Sequence, residues 1–406
     1  MRKFPGKKRI ELFAFLILVL LFAVVLVVDI LSGKTAVPEV SESPSTSPAK
    51  PSPAAEPKIT IGYYTSWSAS SAFTPDDITA DKLDFVHYAF ASVGTDYKVA
   101  AGQSELDYVN FEQLRALKKA NPTLKTLISV GGWGGSEGFS EMASSDETRK
   151  IFAQSCIDFV RLYGFDGVDI DWEYPVSGGC AGKPKDKENF TLLMQALHEA
   201  LDTLGTAEGK HYYLSFAGGA SNDYIGHVEL QKLAALVDYA VIMTYDLHGI
   251  WDSYADLNAP LYTPGEASPQ YKTSVDDAVK AWKEAGFPPD KTVMGLAFYG
   301  YIYTGVSENN HGLYQPFSSG EAIGFDAVQA LLSDGSYSVF RHSEAQVPYV
   351  FSNGSFISFD DTASITEKTQ YALQNGLKGV SAWELGTDRF AILLSAAYTA
   401  LHSGSS

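Results

Sequence analysis

From about residue 58 onward, short runs of β-branched and aromatic residues alternate with longer stretches whose apolar side chains recur every three or four positions. The short runs predict strands at 59–64, 83–91, 126–130, 212–217, 239–245, 292–297 and 379–383, with one more inside 165–175. The longer stretches predict helices at 111–121, 139–163, 187–204, 228–236, 274–285, 364–375 and 390–401. In the 187–204 segment, Phe190, Leu193, Leu197 and Leu201 have the spacing of a buried stripe. Strands alternating with helices, eight strands in all, predict an α/β chain closed into a (β/α)8 barrel. A doubly wound open sheet is the alternative, but no Gly-x-Gly-x-x-Gly turn opens a helix. Residues 301–357 break the rhythm: they are Gly- and Ser-rich and aromatic, with a short helix expected at 325–332. They read as an insertion between the seventh strand and the seventh helix.

The start of the chain has a different pattern. Arg2, Lys3, Lys7, Lys8 and Arg9 precede an apolar run from Leu12 to Val28 that Ile30 and Leu31 extend. The basic flank predicts an N-terminus held inside and export of the remainder. The run exceeds the roughly 7–15 residues of a signal-peptide core and approaches the ~20 needed to span a bilayer. Residues 1–32 are therefore expected to be a signal anchor, with a cleaved signal peptide as the alternative. Residues 33–57, rich in Ser, Pro, Ala and Thr, cannot build a core and are expected to form a tether. The folded unit is expected at 58–402, outside the cytoplasm, as a monomer.

Charge and cysteines narrow the partners. A formal charge of −18 argues against nucleic acid and suits a neutral substrate. Cys156, in a helix, and Cys180, in a Gly-rich loop, would lie toward opposite ends of a barrel and are expected to stay unpaired. His87, His248 and the other histidines lack metal-ligand spacing and read as packing or rim residues. No metal and no cofactor is expected.

The chemistry concentrates in 165–175, where Asp166, Asp169, Asp171 and Glu173 put four acids into eight residues. Period-two alternation places Asp169, Asp171 and Glu173 on one strand face and Val168, Ile170 and Trp172 on the other. Unpaired buried charge costs several kcal/mol per ion, so a purely structural role explains the cluster poorly. A hard-cation site is a minor alternative that a chelator would expose. In a parallel barrel the C-terminal ends of the strands carry function. There the chain places Phe90, Ser129 with Gly131-Gly132-Trp133, Asp171-Trp172-Glu173-Tyr174, Met243-Thr244-Tyr245-Asp246, Phe298-Tyr299 and Trp383-Glu384. Aromatic faces stack on sugar rings while acids and phenols direct hydrogen bonds, so the mouth suits carbohydrate cleavage.

The run Asp166-Gly167-Val168-Asp169-Ile170-Asp171-Trp172-Glu173 resembles the DxxDxDxE signature of the family 18 glycoside hydrolases, the chitinase family. Ser129-Val130-Gly131-Gly132 resembles its SxGG motif, Met243-Thr244-Tyr245-Asp246 its sixth-strand motif, and Trp383-Glu384 its eighth-strand tryptophan. The matches fall in chain order across roughly 59–402. The resemblance implies hydrolysis of β-1,4-linked N-acetylglucosamine polymers with retention, the substrate's own N-acetyl oxygen serving as nucleophile. It implies Glu173 as general acid and base, kept protonated by the neighbouring strand acids, and Asp171 as the group that orients the acetamide. Asp169 is implied to share a proton with Asp171, with Tyr63 and Ser129 as its partners.

Tyr245 is implied to hold the acetamide, with Asp246 and Met243 at the same subsite. Trp383 would floor the cleft. Trp133, Trp251, Tyr174, Tyr299 and Phe90 complete the expected substrate contacts, and Tyr301 stands where many relatives have Arg. The insertion is shorter than one subfamily's cleft wall, which favours endo cleavage. The alternatives are an endo-N-acetylglucosaminidase, a peptidoglycan hydrolase of the same family, or a non-catalytic chitin-binding lectin.

Overall fold

The computed structural model describes residues 57–403, apart from 103, 178–181, 266–272, 334 and 336. The strands in chain order are β1 (Ile59–Thr65), β2 (Phe85–Val93), β3 (Val99–Ala101), β4 (Lys125–Gly131), β5 (Gly167–Asp171), β6 (Tyr213–Gly219), β7 (Tyr239–Met243), β8 (Thr292–Ala297), β9 (Tyr299–Thr304), β10 (Ser319–Gly324), β11 (Ser338–His342), β12 (Val347–Ser352), β13 (Ser355–Ser358) and β14 (Gly379–Trp383). Eight of them, β1-β2-β4-β5-β6-β7-β8-β14, pair in parallel, and β1 pairs with both β2 and β14, which closes the barrel. The short β3 is an antiparallel addition to β2 that the sequence pattern did not signal.

Helices pack on the outside because their apolar stripes have only that surface to cover. The helix Asp186–Glu208 buries Phe190, Leu193, Leu197 and Leu201, and Trp172 meets Phe190 edge-on at 5.8 Å. Val168 and Ile170 face this outer core, so their neighbours Asp169 and Asp171 must face the barrel interior. The interior has its own apolar packing of Ile61, Leu127, Val241 and Val293.

Two expected helices came out differently. The 139–163 stretch splits into Phe139–Met142 and Asp146–Tyr163, because Ser145 caps the second by accepting from the Thr148 N–H at 3.1 Å. The 228–236 stretch forms only Leu230–Leu233; Lys291 Nζ takes the Ala234 and Val237 carbonyls at 2.8 Å each, in place of a continued helical ladder.

Between β8 and the helix Thr362–Gln374 lies a second sheet, antiparallel, in the order β10-β9-β13-β12-β11. The helix Phe325–Leu332 follows β10. Tyr303, Val347, Phe356 and Leu257 form its core. Its strands were unreadable in sequence because β10 and β11 are polar and largely exposed, with little two-residue contrast. Among the described residues no helix is long and apolar enough to cross a membrane. The apolar run at 12–31, the tether and Cys180 lie outside the described residues; Cys156 is a buried free thiol.

Candidate active site

The strand ends open into a cleft of about 960 Å³ lined by Asp171, Glu173, Tyr245, Asp246 and aromatic rings. Trp383 forms its floor, stacked on Phe90 at 5.6 Å and 28°, with Tyr63 at 5.4 Å. Around the opening stand three tryptophans: Trp133 is 72% exposed, Trp251 57% and Trp67 44%. The peptide bonds Ala89–Phe90, Glu173–Tyr174 and Trp383–Glu384 are cis, at the ends of β2, β5 and β14.

Parallel register assembles the floor of the acidic site. Ser129, Asp169, Ser215 and Tyr239 are successive partners across β4, β5, β6 and β7, and Tyr63 pairs with His87 across β1 and β2. All six side chains are buried. Asp169 Oδ2 accepts from the Tyr63 hydroxyl at 3.0 Å and Ser129 Oγ at 2.8 Å, and Oδ1 accepts from Ser215 Oγ at 2.6 Å. His87 Nδ1 lies 3.2 Å from Oδ2. Burial pushes the carboxyl up, but the His87 charge and the hydrogen bonds outweigh it and hold Asp169 below the usual aspartate range.

Asp171, two residues nearer the mouth, has the opposite environment. It is buried, and its Oδ1 has no hydrogen-bond partner. Burial first, then the charges of Glu173 and Asp169, push it well above the aspartate range. Glu173 lies just beyond the end of β5, and its backbone N–H donates to Ser136 Oγ at 2.9 Å. Burial pushes its carboxyl up to about 7; a hydrogen bond with Tyr174 opposes this and the Asp246 charge adds to it. The crowding of strand acids expected to protonate Glu173 is thus not the leading cause. Burial is, and the charged neighbour comes from another strand.

The loop after β7 completes the wall. Asp246 has φ 55 and is held by its N–H donating to Asn258 Oδ1 at 2.8 Å. Its Oδ1 accepts from the Tyr299 hydroxyl and from the Tyr301 hydroxyl at 2.7 Å. On the opposite side the paired glycines have a steric reason. Gly131 adopts φ +118 and a Cβ there would lie 2.1 Å from the Asp171 carbonyl oxygen; at Gly132, φ +79, it would strike the Phe90 ring at 2.5 Å. Gly132 donates its N–H to that same carbonyl at 2.8 Å, which clamps β4 to the acidic strand's end.

A family model described as "Glycosyl hydrolases family 18" matches residues 59–388. The chain belongs to family 18 of the glycosyl hydrolases. Chitinase A1 of Niallia circulans is 36% identical over 417 residues, covering 87% of this chain and 59% of that protein, so the chain spans little more than half of this relative's length. A family 18 N-acetylglucosaminidase structure from Paenibacillus barengoltzii is 37% identical with a TM-score of 0.78, covering 84% of this chain and 99% of that one. The Ostrinia furnacalis Group IV chitinase in complex with allosamidin is 33% identical with a TM-score of 0.80, covering 86% and 100%.

Within this family 18 site, Glu173, Asp171, Tyr245, Asp246, Met243, Tyr63, Phe90, Tyr174, Trp133, Trp251 and Trp383 all line the cleft. Ser129 and Tyr299 work one step back, bonded to Asp169 and Asp246. Sequence reasoning missed Trp67, Ser136 and Ser215. His87, expected as a packing or rim residue, is a fully buried packing residue between Tyr63 and Tyr239, and its ring also lies against Asp169, a contact sequence reasoning did not foresee. The one available clue was that His87 falls on the same two-residue face of β2 as Ala89, which the register turns inward.

Proposed function

We propose that this chitinase-like glycoside hydrolase cleaves β-1,4-linked N-acetylglucosamine polymers, chitin and its oligosaccharides, by a retaining, substrate-assisted mechanism. The observation that carries the reading is the acidic row Asp171 and Glu173 opening into a cleft with Tyr245 and Trp383, where burial pushes Glu173 up to about 7. Glu173 protonates the glycosidic oxygen and, once the leaving sugar has gone, takes a proton from the attacking water. The acetamide oxygen of the bound sugar attacks the anomeric carbon. Tyr245, buried at the mouth among these acids, donates its hydroxyl proton to that oxygen and aligns it. Asp171 turns so that the acetamide N–H donates to it and, still holding its proton, donates a hydrogen bond to Glu173 when that carboxyl becomes an anion, which leaves Glu173 able to take the proton of the attacking water. Trp383 supports the apolar face of the sugar, and Trp67, Trp133 and Trp251 extend the stacking surface to either side.

The sheet β9–β13 acts as a cleft wall through Tyr299 and Tyr301. The folded unit is exported and carried by the N-terminal apolar segment as a monomer. A second reading, release of single N-acetylglucosamine units, is favoured by the name of the Paenibacillus relative. A product time course on chito-oligosaccharides, colloidal chitin and peptidoglycan, with Glu173→Gln beside wild type, tests both. Oligomers appearing early from colloidal chitin and absent with the variant are expected. Monomer as the sole early product would move the assignment to the second reading, and turnover of peptidoglycan alone would overturn it.

A further inference from the structure

The four neighbours of Asp169 are not equivalent. Tyr63, Ser129 and Ser215 present hydroxyls, which donate or accept as their protons rotate, so they can serve an ionised or a protonated carboxyl. His87 differs. Its Nδ1 lies 3.2 Å from Asp169 Oδ2 with both side chains fully buried, and its Nε2 is 2.8 Å from the Tyr239 hydroxyl. The ring meets Tyr63 edge-on at 4.8 Å and lies nearly parallel to Tyr239 at 6.0 Å, so close packing leaves it no room to swing aside. With Tyr239 donating to Nε2, the ring proton sits on Nδ1, 3.2 Å from the carboxylate oxygen but outside hydrogen-bond alignment, so its pull on the anion is electrostatic. With both nitrogens protonated, the ring faces it with a full charge. Both arrangements favour an anion at Asp169.

We propose that His87 is a positioning residue for the reaction: it pins Asp169 as an immobile carboxylate and so keeps the mobile proton of the acidic strand on Asp171. It acts through Asp169, since it lies beneath the cleft and does not line it. An anion beneath Asp171 raises the proton affinity of that group by like-charge repulsion. Asp171 then reaches the substrate still protonated, so that it can hydrogen-bond the Glu173 carboxylate after Glu173 has protonated the leaving oxygen. The groups facing the imidazole are Tyr63 from β1, Asp169 from β5 and Tyr239 from β7. Asp171 and Tyr245 are the next ionisable groups toward the mouth, and Asp238 and Tyr213 toward the closed end.

The inference rests on the hydrolytic reading above, so wild type and Glu173→Gln are assayed in parallel. Turnover of a fluorogenic chitobioside that is lost in Glu173→Gln establishes that reading whatever His87 does. The deciding measurement is the kcat/KM profile of His87→Leu and His87→Asn between about pH 4 and pH 9. In His87→Leu the acid limb moves up by about one unit, a loss of roughly threefold or more at about pH 4 that approaches tenfold only further into acid and is absent at about pH 7. The alkaline limb stays in place because Glu173 sets it. His87→Asn, which can donate one hydrogen bond but carry no charge, moves the acid limb about half as far. A merely structural role predicts a uniform loss with an unchanged profile in both variants, and that result overturns the proposal. If His87→Leu does not fold, the Asn variant decides alone, by the presence or absence of its acid-limb shift.

Discussion

Asp169 and Asp171 are neighbours on one face of one strand, and the fold gives them opposite charge states. Asp169 is met by hydroxyls from β1, β4 and β6 and by the His87 ring from β2, and it is held ionised. Asp171, one layer nearer the mouth, has a buried oxygen with no partner and is held protonated. Burial acts on both. What differs is the supply of donors from adjacent strands, which is complete in the closed layer and stops where the strands end. A protein can therefore favour an anion and a neutral acid at the same residue type two positions apart.

The strongest way to break this comparison is at its outer end. Glu173→Gln removes the transferable proton and should lower kcat roughly 10²–10⁴-fold in initial-rate assays. Because folding raises the Glu173 value from 4.5 to about 7, its burial costs stability above the unfolded value. The same variant should therefore be more stable at neutral pH, by on the order of 1–3 kcal/mol. Loss of both activity and stability would contradict the assignment.

Amide substitution at the two aspartates sharpens the contrast. Asp169→Asn removes an anion that several donors surround, and should destabilise by roughly 2–4 kcal/mol. Asp171→Asn removes a carboxyl whose folded value is raised, and should stabilise at pH 7, the opposite sign. The signs follow from linkage. A depressed acid stabilises above its unfolded value and loses that stabilisation as pH falls through the folded one. A raised acid destabilises progressively as pH rises from the unfolded value through the folded one. Thermal denaturation at about pH 7 and about pH 3 should show both differences shrinking in acid, and equal signs for the two variants would refute the contrast.

The pH profile tests Glu173 in the unaltered protein. A general acid titrating at about 7 predicts that kcat/KM falls as pH rises through that value. The smallest expected effect belongs to Asp246, whose charge contributes to holding Glu173 up. Asp246→Asn should move that alkaline limb down by a few tenths of a unit, and an upward move would mean that the charge acts elsewhere.

Much of this arrangement was legible beforehand. The alternation of strand and helix named the barrel, and period two placed Asp169 and Asp171 together. The Gly131-Gly132 pair was legible only as a motif; its steric reason, the close approach of β4 to the Asp171 carbonyl, came with the structure. The antiparallel sheet was illegible because its exposed strands lack hydrophobic contrast. The contact of His87 with Asp169 was illegible because the two lie 82 positions apart and only the closed register brings them to 3.2 Å.

The sequence by itself determined which residue types face the barrel axis, because strand geometry is local and alternates without regard to partners. Only the tertiary structure decided which acid is charged. Proton affinity answers to burial and to donors within a few ångströms, and those come from Tyr63, His87, Ser129, Ser215 and Asp246, on strands and loops far from the acidic run in the chain.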